Sequence, residues 1–170
     1  AKTIDHTDRG IKMRCYPLQN VHDMHFATGQ LFIKEKHKFD FIMKNLCNFD
    51  CFLDVGANTG TICIPLAVMY PDKKFFAFEP NPEAFANVRF NHSLNHAPNL
   101  ILINAALGEE AAQKKLFVSG NIGGGSIHET AKGRGFDVDM MRLDEFFEKN
   151  SIGERSAVKI DVEEIGRAHV

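Results

Sequence analysis

The stretch FLDVGANTG, residues 52–60, constrains the fold more than any other part of the chain. An apolar run closes on an acid, Asp54, and gives way to Gly56, Ala57, Asn58, Thr59 and Gly60, after which apolar residues recur at helical spacing. That order predicts a strand, a tight turn and a helix. The helix is expected over about 61–70, stopped by Pro71, with KKFFAFE as the next strand. In EPNPEAFANVRFNHSLN, Asn81 is placed to cap a second helix, Pro82 fits its first position, and Glu83 suits its positive end. Phe85, Val88 and Leu94 supply that helix with an apolar stripe, and NLILINAAL, 99–107, reads as a third strand. Strands alternating with helices, apolar enough to be covered on both faces, predict an α/β fold with a doubly wound, mostly parallel sheet.

The flanks are less regular. Residues 11–33 mix short apolar pieces with turn residues, as in IKMRCYP, and suggest a small β-rich or irregular element. Apolar positions Ile33, Phe39, Ile42, Met43 and Leu46 suit one helix from 33 to 46. After Gly108, KKLFVS and FDVDMM read as two strands around the glycine-rich GNIGGGSIHE, a β-hairpin insertion, followed by a short helix at LDEFFEKN. SAVKIDV, 156–162, is then the fourth parallel strand.

Composition removes several function classes. The formal charge of -2 comes with no window that gathers lysine and arginine into a basic stripe, so a nucleic-acid surface is not expected. No apolar run approaches the roughly 20 residues of a membrane span, and no charged-then-apolar signal segment opens the chain, which makes cytoplasmic the expected location. The chain opens on Ala1 rather than methionine, leaving room for sequence upstream. Cys15, Cys47, Cys51 and Cys63 show no C-x-x-C spacing and read as reduced core thiols rather than metal ligands. Oligomeric state leaves no mark on the sequence.

In an open parallel sheet a ligand sits outside the carboxyl ends of the strands. Asp54, Glu79, Asn104 and Asp161 all stand at or near such ends. A dinucleotide fingerprint needs G-x-G-x-x-G, whose second glycine lets a pyrophosphate approach the backbone. Here that position is Asn58. S-adenosylmethionine carries no phosphate, so it tolerates a side chain in the loop and benefits from an acid near its ammonium group. Asp54 suits that ammonium, directly or through water, and the amides around Gly56 to Gly60 suit the carboxylate. Glu79 is placed to accept from both ribose hydroxyls, a role that fits either cofactor. Asn104 and Ala105, at the end of the third strand, stand where an adenine edge would be read.

These pieces in this order, FLDVGANTG, AFEPNPEAFANVRFNHSLN, INAALGEE, VDMMRLDEFF and VKIDVE, resemble the FkbM family of S-adenosylmethionine-dependent methyltransferases over about Cys51 to Glu163. The resemblance implies a class I methyltransferase, Rossmann-like fold and methyl transfer to a hydroxyl oxygen of a small-molecule, sugar or lipid-like acceptor. Residue by residue it implies Asp54, Gly56, Asn58, Gly60 and Glu79 in the cofactor site, with Asp161 and Glu163 near the reacting centre. Asp161 is the candidate for removing the hydroxyl proton or for orienting the acceptor. Strand alternation points Asp161 and Glu163 to one face, but two carboxylates make an incomplete metal site, and no metal is expected.

The resemblance also calls for a glycine after DVE and for further elements, whereas the chain ends in EIGRAHV. Read back into codons, that tail fits GAG ATC GGA AGA GCA CAC GTC, which contains the adapter commonly ligated to short-read sequencing libraries. The expected organisation is an N-terminal element at 1–50, an incomplete methyltransferase domain at 51–163 and an adapter-derived tail at 164–170. Such a chain is expected to leave an apolar strand edge open, to be poorly soluble and to be inactive by itself.

Rival readings are a nicotinamide-dependent oxidoreductase, disfavoured by Asn58, and a nucleoside-binding scaffold without catalysis. Asp161 also reads as an ordinary strand-end acid, and Glu79 as a partner of the Asn81 cap. The loop GNIGGGSIHE, with Ser126 and His128, reads equally as a substrate lid or a hairpin end. His92 and His96, four apart, are expected to face solvent on one helix face.

Overall fold

A computed structural model of the chain describes residues 3–118, 125–127, 133–150, 152 and 155–162. An antiparallel hairpin, β1 (Ile4–Asp8) and β2 (Ile11–Cys15), precedes three helices, α1 (Val21–Ala27), α2 (Leu31–Lys34) and α3 (Lys36–Asn45). Then come β3 (Cys51–Val55), α4 (Cys63–Met69), β4 (Lys74–Phe78), α5 (Pro82–Ser93) and β5 (Leu100–Ile103). Short strands β6 (Ala106–Leu107) and β8 (Gly125–Ser126) flank the longer β7 (Ala112–Val118) and β9 (Arg134–Met141). The described part closes with α6 (Leu143–Asn150) and β10 (Ser156–Ile160).

The central sheet has the order β10-β3-β4-β5 and is parallel throughout. All five residues of β3 are buried, as a strand covered on both faces requires. One face, with Phe52 and Phe75, packs against α4, Val88 of α5 and the N-terminal element. The other, with Leu53, Phe76 and Phe78, packs against α6, where Phe146 meets Phe76 and Phe78 edge-on at 5.2 and 4.9 Å. A second sheet, β6-β9-β7-β8, holds the expected hairpin, with β7 and β9 antiparallel over their length. Arg134 of β9 ties this hairpin to the start of α5 through paired bonds of 2.8 and 2.7 Å to Glu83.

Three expectations change in detail. The helix expected over 33–46 divides at Glu35, whose backbone leaves the helical range at φ -97° and ψ 17°. Leu31 and Phe32 face the core with Phe39, while Ile33 is 67% exposed. The strand expected over 99–107 also divides. Asn104 donates to the carbonyls of Glu79 (2.7 Å) and Pro80 (3.2 Å), which turns the chain out of the central sheet and into β6 of the second. His92 and His96 do not share a helix face, because α5 ends at Ser93 and the His92 ring hydrogen-bonds the carbonyl of Ala97 at 2.8 Å.

Cys15, Cys51 and Cys63 are buried and Cys47 is exposed, all as free thiols. Among the described residues no helix is long and apolar enough to cross a membrane. β10 lies at the sheet edge, with Val158 and Ile160 exposed by 38% and 43%. A cavity of about 470 Å³ between that edge and α3 is lined by Phe41, Ile42, Phe49 and Phe52 among others. Glu163 and the tail at 164–170 lie outside the described residues, as do His128 and most of its loop.

Candidate active site

The turn after β3 is built by backbone contacts between strand ends. Gly56 and Ala57 both donate to the carbonyl of Phe78 at 2.9 Å, and Asp161 donates to the carbonyl of Val55 at 3.0 Å. Gly56 takes φ +77°, and a Cβ there would lie 2.3 Å from the carbonyl oxygen of Asp161. Only glycine allows the ends of β3 and β10 to come this close. Asn58 is also left-handed, at φ +53°, a conformation that asparagine tolerates better than most residues. Gly60 closes the turn by donating to Ala57 at 2.9 Å, and its own carbonyl accepts the amide of Ile64 at 3.1 Å in the first turn of α4.

Glu79, at the end of β4, is the buried acid of this rim, 7% exposed. Its Oε2 accepts the amide of Asn58 at 2.8 Å and its Oε1 the amide of Asn81 at 2.9 Å. Asn81 in turn caps α5 through the amide of Glu83 at 3.0 Å, with Pro82 at the first helical position as expected. Burial pushes the Glu79 carboxyl up to about 7, against the two amide bonds, which favour the ionised form. Between its ordinary 4.5 and about 7 the folded chain holds a proton that the unfolded chain has released. Stability is therefore expected to fall as pH rises through that window, by roughly 3 kcal/mol at most. Urea midpoints taken on either side of the window check this, and Glu79→Gln should flatten the slope.

Asp54 is fully buried, with Oδ1 2.7 Å from the ammonium of Lys159. Its Oδ2 is buried and has no hydrogen-bond partner among the described residues. Lys159 also donates to the carbonyl of Gly56 at 3.2 Å and stands 3.7 Å from Asp161 Oδ2. Asp161 is half exposed and has a second lysine, Lys38 of α3, at 3.5 Å. Burial raises the Asp161 carboxyl, but Lys159, then Lys38 and His22, outweigh it and hold the group below its usual range. Asn104 reaches the rim through Glu79 and Pro80, and Ala105 beside it is buried. Asp54, Gly56, Asn58, Gly60, Glu79, Asn104 and Asp161 thus gather at one end of the sheet.

The amides of Gly56, Ala57, Asn58 and Gly60 are already engaged within the chain. Contrary to expectation, these four are not free to cradle a ligand carboxylate, and no pyrophosphate could use them either. Several rim residues were missed from the sequence. Asn20 Nδ2 donates to Asn58 Oδ1 at 2.9 Å, bringing the start of α1 over the turn, and the hydroxyl of Thr59 donates to buried Asp23. Glu35 stands 3.1 Å from Lys38 and 3.5 Å from His22. For Lys159 there was a signal, a lone lysine inside an otherwise apolar strand. Asn20 carried none. Among the described residues no group of three or more metal-ligating side chains stands together.

Residues 54–165 match the family model described as the methyltransferase FkbM domain. The chain belongs to the FkbM methyltransferase family. The span matched to the FkbM model starts at Asp54 and leaves out the N-terminal residues that cover the turn. No curated protein matches the chain. Two solved structures from Pyrococcus horikoshii, one of a protein described as a transferase and one of TYW2 in complex with MeSAdo, each share 21% identity with it at a TM-score of 0.43. Each alignment covers 61% of this chain and 36% of the other, so the chain spans little more than a third of the length of those proteins.

Proposed function

We propose that this methyltransferase binds S-adenosylmethionine across the carboxyl ends of β3, β4 and β5 and moves its methyl group to a hydroxyl oxygen of a small-molecule, sugar or lipid-like acceptor. The observation that carries the reading is Glu79, a buried carboxylate held at the rim by the amides of Asn58 and Asn81. Two amides fix its direction and leave lone pairs for a ribose diol. Asn58 at the second-glycine position of the dinucleotide fingerprint favours a cofactor without phosphates, and the unpartnered Oδ2 of Asp54 favours one that brings a cation.

When bound, the cofactor supplies a methyl group made electrophilic by a sulfonium centre. The chain's own task is then positional. Glu79 holds the ribose, Asn104 and Ala105 border the adenine, and Asp54 sets the charge at the amino-acid end. Asp161, ionised and half exposed, accepts the hydrogen bond of the acceptor hydroxyl and orients its oxygen, and the family resemblance adds Glu163 to the same reacting centre. Calorimetric titration of the intact protein with S-adenosylmethionine and, separately, with NADH tests the reading. Saturable binding of the first alone is expected; binding of NADH alone would overturn it.

A further inference from the structure

We propose that Lys159 is a positioning residue of the transfer site, its ammonium anchored on Asp54 Oδ1 and the Gly56 carbonyl so that it holds Asp161 at the end of β10 as an ionised acceptor for the substrate hydroxyl. The inference rests on the reading of Asp161 just given. It is carried by three distances from one nitrogen: 2.7 Å to Asp54, 3.2 Å to the Gly56 oxygen and 3.7 Å to Asp161. These partners belong to the end of β3, to the turn and to the end of β10. One partly buried side chain thus connects three elements that have to keep their relative places for a methyl group to meet an oxygen.

The register of the sheet explains why a lysine stands here. Lys159 lies directly opposite Asp54 in the parallel ladder, and strand alternation puts it on the same face as Asp161 two residues on. The lysine is only 17% exposed at the side chain, and an ammonium buried alone would lose its proton. Burial does push it down, but Asp54 and then Asp161 more than compensate, and it stays protonated above its ordinary value. Lys159 is therefore a fixed cation and not a base.

Asp161 feels other charges as well. Lys38 of α3 is 3.5 Å away, His22 of α1 is within electrostatic reach, and Glu35 draws both of these toward itself. Because Lys38 is 46% exposed and shared with Glu35, Lys159, 17% exposed, is the more constant of the two cations.

The test follows the Asp161 carboxyl by NMR titration in the intact, cofactor-free protein, beside kcat and the calorimetric affinity for S-adenosylmethionine. In Lys159→Met the Asp161 pKa is expected to rise by about one unit, with Lys38 left in place. A fall in kcat of at least about tenfold should accompany it, larger than any loss of cofactor affinity. Lys159→Arg should restore the pKa and part of kcat. Should Lys159→Met fail to fold around an unpaired Asp54, the double variant Asp54→Asn, Lys159→Met removes both charges and should still raise the Asp161 pKa, by less than the single variant. An unshifted Asp161 in a folded variant overturns the proposal. Wild-type protein that binds no S-adenosylmethionine overturns the function itself, and the titration tells the two failures apart.

Discussion

An alanine at position 56 is expected to lower stability by about 3 kcal/mol or more, and to loosen β10 from β3. Two costs coincide there. The backbone at φ +77° penalises any Cβ, and this Cβ would sit 2.3 Å from the carbonyl oxygen of Asp161, a backbone atom that cannot swing aside. Gly60→Ala is the internal comparison. It also has a positive φ, +88°, but its Cβ would meet the side chains of Ile64 and Val88 at 2.6 and 2.8 Å, which can shift. Urea unfolding of both variants should rank Gly56→Ala as the more damaging. The reverse order would mean that the approach of β10 to the turn is not tight in solution.

The second large effect belongs to Glu79. Glu79→Ala should weaken S-adenosylmethionine binding by roughly 3 kcal/mol, on the order of a hundredfold, since hydrogen bonds to a charged acceptor contribute about 1.5–3 kcal/mol. The same change leaves the amides of Asn58 and Asn81 without their acceptor. Their loss works against stability, whereas removing a buried carboxylate favours it at neutral pH, so the net stability change is the smaller effect. Calorimetry on protein with an intact unfolding transition separates the two. An undiminished affinity would remove Glu79 from the cofactor site.

Much of this arrangement was legible in the sequence, for identifiable reasons. Asn81 and Pro82 announced α5 because a cap and a first-turn proline are local chemistry, decided within a few residues. The apolar runs at 51–53 and 75–78 announced buried parallel strands for the same reason. What could not be read depends on partners far along the chain. The break at Glu35 places its carboxylate near His22 and Lys38, an arrangement with no trace in the 33–46 periodicity. The early end of the third strand hangs on the Asn104 side chain reaching the carbonyls of Glu79 and Pro80. The pairing of Lys159 with Asp54 requires knowing that β10 lies beside β3 in a particular register, 105 residues apart in sequence.

The N-terminal cover of the turn has a consequence for the order of assembly. The amides of Lys12 and Arg14 bond to Asn95 and Asn91, 83 and 77 residues further on. Asn20 finds Asn58, 38 residues on, and Asp23 finds Thr59, 36 residues on. Contacts that close long loops form late, because the entropy of closure is lost before the contact returns anything. During synthesis Lys12 and Arg14 therefore lack these partners until the end of α5 has left the ribosome. The β1–β2 hairpin closes on itself early but finds its place against α5 late.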